Sequence, residues 1–181
     1  MALRTIVGPL QLFDTSHPPI IVCRRHLMAA RGESIILQPG EGRTIETLGS
    51  KMGFKAVTED TGGLYSLIEY EAGPKFSGPA PHIHLEMEEG FYVVEGAFDL
   101  QVGEESVRAP VGSFILIPRG VVHTFANPLD TPSKFLLIAS PGGFEHYFEE
   151  LAPLVEKHGY PQPEAMQGLA EKYNFRIVPR S

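Results

Sequence analysis

Pro81-His82-Ile83-His84-Leu85-Glu86-Met87-Glu88-Glu89-Gly90-Phe91, residues 81–91, sets two imidazoles two positions apart and a carboxylate five positions further on. In an extended strand, side chains at i and i+2 point to the same face, so His82 and His84 converge on one point. Glu89 shares a face with Phe91 and Val93 on the strand that follows. A carboxylate turned towards an apolar interior must be paired, protonated or metal-bound. Further along, His123 opens another short strand after Pro118-Arg119-Gly120. Three imidazoles and one carboxylate meeting inside a barrel suit a divalent first-row transition metal with one or two open positions. His-x-His on its own is a common pairing, and a strand histidine is more often a surface or hydrogen-bonded residue. Glu88 is the alternative ligand if the loop is one residue tighter, and Glu86-x-Glu88-Glu89 also reads as a solvated acidic loop.

Around this stretch, residues 51–139 fall into short β-rich runs separated by turn residues. The runs are Met52–Val57, Leu64–Tyr70, Phe91–Glu95, Phe98–Val102, Glu105–Arg108, Ser113–Ile117, His123–Ala126 and Lys134–Ala139. Asp60-Thr61-Gly62-Gly63, Glu95-Gly96, Val102-Gly103, Ala109-Pro110 and Asn127-Pro128 punctuate them. Eight short strands at near-regular spacing predict a sandwich or a small barrel. Upstream, residues 1–50 are irregular, with short extended pieces expected at Ile20–Arg24 and Ser34–Gln38, and residues 1–27 are expected to be dispensable. After Pro141-Gly142-Gly143 the period turns helical: Phe144, Tyr147, Phe148, Leu151, Leu154 and Val155 recur at helical spacing, with a kink expected at Pro153. A second helix is expected from about Pro163 to Tyr173, and a terminal strand at Ile177-Val178. The expected organisation is an N-terminal arm (1–50), a barrel core (51–141) and a C-terminal helical extension (142–181), whose apolar stripes pack on the barrel or on a partner subunit.

Composition bounds the function. The chain has 181 residues, 43% of them hydrophobic, and a mean hydropathy of −0.04, which suits one globular domain with a core. Its 15 Lys+Arg against 22 Asp+Glu give a formal charge of −7. Such a chain repels phosphate backbones and anionic lipid, so neither nucleic acid nor a membrane is the expected partner. The 19 glycines and 16 prolines provide for many tight turns. Cys23, the single cysteine, cannot form an intramolecular disulfide and reads as a small buried hydrophobe among Ile20, Ile21 and Val22. No apolar run approaches the roughly 18 residues that cross a bilayer, and the N-terminus lacks the pattern of a signal peptide. A cytoplasmic protein is the default expectation.

Two longer strings give the histidines their context. The first is His82-x-His84-(x4)-Glu89-(x6)-Gly96, the second Gly112-(x5)-Pro118-x-Gly120-(x2)-His123-(x3)-Asn127. Together they resemble the two sequence motifs of the cupin superfamily, with the short separation of single-domain bacterial members. One position departs: the first motif usually opens with Gly six residues before its first His, where this chain has Phe76, with Gly78 close by. Gly40-Glu41-Gly42-Arg43, Thr61-Gly62-Gly63-Leu64-Tyr65-Ser66 and Pro141-Gly142-Gly143-Phe144-Glu145 extend the resemblance to quercetin 2,3-dioxygenase-like monocupins.

The resemblance implies an all-β, jelly-roll-like barrel enclosing one divalent metal ion (Fe, Mn, Co, Ni, Cu or Zn) held by His82, His84, Glu89 and His123. It also implies a homodimer and a small-molecule substrate. Phe91 and Phe125 stand two residues after Glu89 and His123, where relatives line a flavonol pocket; plain barrel core is an equal reading for both. Gly96, Gly112, Pro118, Gly120 and Asn127 shape turns. His17, His26, His146 and His158 lie outside the motifs and are expected to be structural or exposed, and Arg119 and Lys134 to be solvated.

The expected activity is dioxygenation of a flavonol or another enol or phenol, with Glu89 both ligating and accepting the substrate proton; for a flavonol the resemblance implies ring cleavage with release of carbon monoxide. The same ligands also serve non-redox isomerases, epimerases or lyases acting on small oxyacids or sugar derivatives. A non-catalytic small-molecule-binding cupin is the third reading.

Overall fold

Along Ser66–Ala72 burial alternates strictly, with Ser66, Ile68, Tyr70 and Ala72 turned inward, and along Ser133–Ser140 it places Ser133, Phe135, Leu137 and Ala139 inward. One face of each strand is thus made for a core and the other for water. The computed structural model describes residues 34–160 and 162–179. The strands are β1 (Arg43–Thr47), β2 (Ser50–Ala56), β3 (Ser66–Ala72), β4 (His82–His84), β5 (Glu88–Glu95), β6 (Ala97–Val102), β7 (Glu105–Pro110), β8 (Phe114–Ile117), β9 (His123–Ala126), β10 (Ser133–Ser140) and β11 (Phe175–Ile177). The helices are α1 (Thr58–Thr61), α2 (Phe144–His158) and α3 (Pro163–Lys172). A six-stranded sheet in the order β1-β2-β3-β10-β5-β8 faces a five-stranded sheet in the order β11-β4-β9-β6-β7, and every pairing is antiparallel. This is the all-β jelly roll that the resemblance implied.

Between the sheets lies an aromatic core. Phe135 stacks on Tyr70 at 5.0 Å and on Phe91 at 4.7 Å, and meets Phe125 edge-on at 5.1 Å. Such offset and edge-to-face pairs add to what burial of the rings supplies. At the end of the barrel away from the histidines, Asn127 is fully buried; its amide donates to the carbonyls of Ala72, Gly73 and Thr131. Its Oδ1 accepts from Leu129 N and Ser133 Oγ. One side chain thereby ties three chain segments together and leaves no buried amide group unpaired.

The eight expected strand runs each have a counterpart, their ends coinciding or shifted by up to three residues, and β1 (Arg43–Thr47) adds a strand within the stretch expected to be irregular. The differences lie at the edges. Ser34–Gln38, expected as an extended piece, forms no strand; its side chains are exposed, so pairing would bury nothing. Asp60-Thr61-Gly62-Gly63 was expected as a plain turn, but Thr58–Thr61 is a helical turn. Asp60 Oδ2 accepts from Val57 N at 2.9 Å at its start, and Gly62 at φ +64° closes it. The terminal strand begins at Phe175 rather than Ile177, because Asn174, at φ +52°, turns the chain out of α3 earlier than expected. The expectations for Ile20–Arg24, Cys23, His17, His26 and the dispensability of residues 1–27 fall outside the described residues.

The C-terminal helices pack on this chain's own barrel. Helix α2 lies against β1 and β3, with Pro153 inside it. Phe148 joins the main core, with Phe144 and Tyr147 packed against it. Among the described residues no helix is long and apolar enough to cross a membrane.

Candidate metal centre

The site is built from both sheets at one end of the barrel. In the five-stranded sheet, His82 on β4 stands opposite His123 on β9, and His84 follows on the same face of β4. In the six-stranded sheet, Glu89 on β5 stands between Ala139 of β10 and Ile117 of β8, turned inward like Phe91 and Val93. His84 and Glu89 are each 3% exposed and His123 1%. One ligand atom from each of His82, His84, Glu89 and His123 lies within 4.8 Å of those of the other three, so the cluster is able to hold a metal ion.

Hydrogen bonds decide which nitrogens face the centre. His82 Nδ1 lies 2.9 Å from Ala80 O, and His123 Nδ1 lies 3.0 Å from Val121 O. A carbonyl only accepts, so both Nδ1 atoms carry a proton and the Nε2 atoms are the ones left for the centre. This backbone anchoring is the usual way of fixing a ligating imidazole. Burial, reinforced by His123, lowers the pKa of His82 to about 4, so it is neutral at pH 7. Burial pushes the Glu89 carboxyl upward, but the His123 and His84 rings beside it outweigh that and hold it far below the ordinary carboxylate range.

The donor set fits a cation. His123 Nε2 lies 2.9 Å from Glu89 Oε2. His84 Nε2 is 3.3 Å from the same oxygen, yet neither His84 nitrogen makes a hydrogen bond although both are buried. Buried polar atoms without partners are costly. A divalent ion among the four would satisfy the orphaned nitrogen and compensate the buried carboxylate at once.

The remaining sequence candidates lie elsewhere. Glu88 is partly exposed and reaches Arg119 at 3.8 Å, and Glu86 accepts from Asn174 Nδ2 at 3.1 Å; neither joins the cluster. Phe91 and Phe125 are buried 5.7 Å apart in the aromatic core. Lys134 bridges Glu71 and Glu95 on the surface, His158 is exposed, and His146 pairs with Glu149 at 2.8 Å. His146, Glu59 and Glu145 form a second acidic–imidazole cluster, but the Glu145 oxygens are already taken by Thr58 N, Ser66 Oγ and Gly143 N.

Sequence reasoning did not place Phe144 and Phe175 at the site. Phe144 meets the His84 ring edge-on at 5.3 Å, and Phe175 lies 6.0 Å from His84 and 6.1 Å from His82. The signal for Phe144 was its place directly after Pro141-Gly142-Gly143; nothing local marked Phe175.

Residues 66–139 match the family model described as Cupin domain. Over 134 residues the chain is 28% identical to the quercetin 2,3-dioxygenase of Bacillus subtilis (strain 168), covering 73% of this chain and spanning 39% of that protein's length. Among solved structures, KdgF from Halomonas sp. aligns with a TM-score of 0.54 at 20% identity, over 64% of this chain and 98% of that one. An RmlC-like cupin from Shewanella frigidimarina NCIMB 400 gives 0.54 at 17% identity, over 63% and 96%. The polyketide cyclase RemF from Streptomyces resistomycificus gives 0.52 at 24% identity, over 60% and 80%.

Proposed function

From the premise that this chain carries a cupin domain at residues 66–139, we propose that it is a metal-dependent dioxygenase of the quercetinase type. Its substrate is a flavonol or another enol or phenol, and its metal is held by His82, His84, Glu89 and His123. The observation that carries this reading is the buried three-imidazole, one-carboxylate cluster with its orphaned His84 nitrogens. The likeness to a quercetin 2,3-dioxygenase supports the choice of chemistry. When bound, a divalent transition metal lowers the pKa of a substrate hydroxyl and makes the enolate electron-rich towards O₂.

The chain's own residues supply the rest. His82 and His123, locked by Ala80 and Val121, present their Nε2 atoms in fixed directions. Glu89, buried, is the only carboxylate in this cluster, and it is the group placed to take the proton that leaves the substrate hydroxyl. The aromatic rings of Phe144 and Phe175 shield the histidines from water on the side of the C-terminal segment, which strengthens every electrostatic interaction inside.

O₂ uptake with quercetin, measured on the metal-loaded wild type and on Glu89→Gln, tests the proposal. Loss of a general base typically costs about 10²–10⁴ in rate, so the variant is expected to retain metal through three histidines and lose O₂ uptake by about that factor. Unchanged turnover would remove Glu89 from the chemistry. Turnover of a substrate that proceeds without O₂ and with Zn²⁺ would replace the oxygenase reading by a non-redox one.

A further inference from the structure

Strand β4 carries two of the four cluster residues in only three positions, and one pair, His82 with His123, registers it against β9. On its other side β11 runs along its full length, with Phe175 opposite His84, Arg176 opposite Ile83 and Ile177 opposite His82. Two further backbone bonds bracket the strand: Leu85 N donates to Asn174 O at 2.8 Å, and Val178 N donates to Pro81 O at 2.7 Å. Beyond them, Asn174 Nδ2 donates to Glu86. The two-histidine strand is therefore held chiefly by the C-terminal segment.

His84 also differs from its neighbours. The rings of His82 and His123 are fixed by hydrogen bonds to backbone carbonyls, whereas His84 makes none. Its orientation rests on packing: besides the His82 and His123 rings at 4.9 and 5.3 Å, it meets Phe144 at 5.3 Å and Phe175 at 6.0 Å. Phe175 is the buried residue of β11, 8% exposed; Ile177 shares its face at the exposed end of the strand, opposite His82, and Arg176 points to the other face. Tyr147 of α2 backs the Phe175 ring edge-on at 5.3 Å.

We propose that the C-terminal strand is the positioning element of the metal centre, and that Phe175 acts through His84 by holding its imidazole in the ligating orientation. The inference rests on the metal reading above and deepens it. Metal affinity in this chain is then set in part from residues 174–178, outside both histidine motifs. A ring free to turn loses part of its affinity to orientational entropy, and residues that orient a ligating imidazole typically contribute about 10–100-fold in metal affinity.

Co(II) titration of the metal-free chain, followed by visible absorption, tests this without any substrate. Phe175→Ala is expected to bind Co(II) about tenfold or more weakly, with an altered d–d band, while Arg176→Ser on the opposite, exposed face of the same strand binds as the wild type does. If Phe175→Ala does not fold, Phe175→Leu carries the same test, since it keeps an apolar side chain but removes the flat ring. Wild-type affinity and spectrum in a folded Phe175 variant would overturn the proposal, as would an equal loss in Arg176→Ser. A wild-type chain that takes up no Co(II) would overturn the metal reading and this inference together. Loss of O₂ uptake alone, with these affinities as expected, would overturn only the oxygenase.

Discussion

A methyl group added at Gly78 would overlap the carbonyl oxygen of Phe125, at a backbone φ of +80° that side chains rarely adopt. Phe125 lies two residues after His123, so the close approach sets the strand that carries one of the cluster histidines. Gly103, at φ +58°, has open space where its methyl would go. Gly103→Ala should therefore cost only the left-handed backbone, about 1–2 kcal/mol, whereas Gly78→Ala should cost more than about 3 kcal/mol, the upper range of single substitutions. Urea unfolding of both variants checks the contrast, and similar losses would refute it. The comparison also shows what was legible at this scale. Strand periodicity puts His82 and His84 on one face, and the resemblance implied Glu89 and His123 beside them; the fold gathers all four within 4.8 Å. The motif's expected glycine position holds Phe76, and the steric role is borne by Gly78, which only the path of β9 reveals. Phe175 was illegible for the same kind of reason: its partner in register is 91 positions away in sequence.

Among the elements, α2 shows how a helix is fastened to a barrel through one buried charge. Glu145, in its first turn, accepts from Ser66 Oγ on β3 and from Thr58 N on α1 at 2.7 Å. Burial raises its pKa, but these hydrogen bonds win and bring it to about 2. An unfolded chain returns the carboxyl to its ordinary value near 4.3. The folded pKa is the lower one, so the unfolded state binds the extra proton as pH falls. The stabilisation is complete above pH ~4.3 and is lost towards pH ~2. Glu145→Gln, which keeps the shape but cannot titrate, should show a shallower loss of denaturant midpoint between these limits than the wild type; parallel curves would contradict the latch. The strands of the barrel were readable because each alternates for five or more residues or is bounded by glycine and proline. The exceptions are short: β1 is a largely exposed edge strand in a stretch expected to be irregular, α1 is a single turn hidden in turn-forming residues, and β11 is three residues whose place is set by Asn174 and by β4.

At the scale of the whole molecule, the metal centre depends on segments far apart in the chain. Two imidazoles come from β4, one from β9, the carboxylate from β5, and the aromatic cover from α2 and β11. β1 and β11, at the two ends of the described chain, complete the edges of the two sheets. Composition foresaw the core and the turns, and the two motifs named the four clustered residues; the cover from α2 and β11 is a property of sheet order that no local pattern carries. The cluster would bury an ionised carboxylate beside unpaired imidazole nitrogens, a costly arrangement that a bound cation relieves. Metal analysis by ICP-MS, on the chain purified without added metal and beside His82→Ala/His123→Ala, therefore tests the central claim most directly. The account predicts close to one transition-metal ion per wild-type chain and none in the variant. A wild-type chain that holds no stoichiometric metal under any loading condition, or a variant that keeps it, would contradict the account.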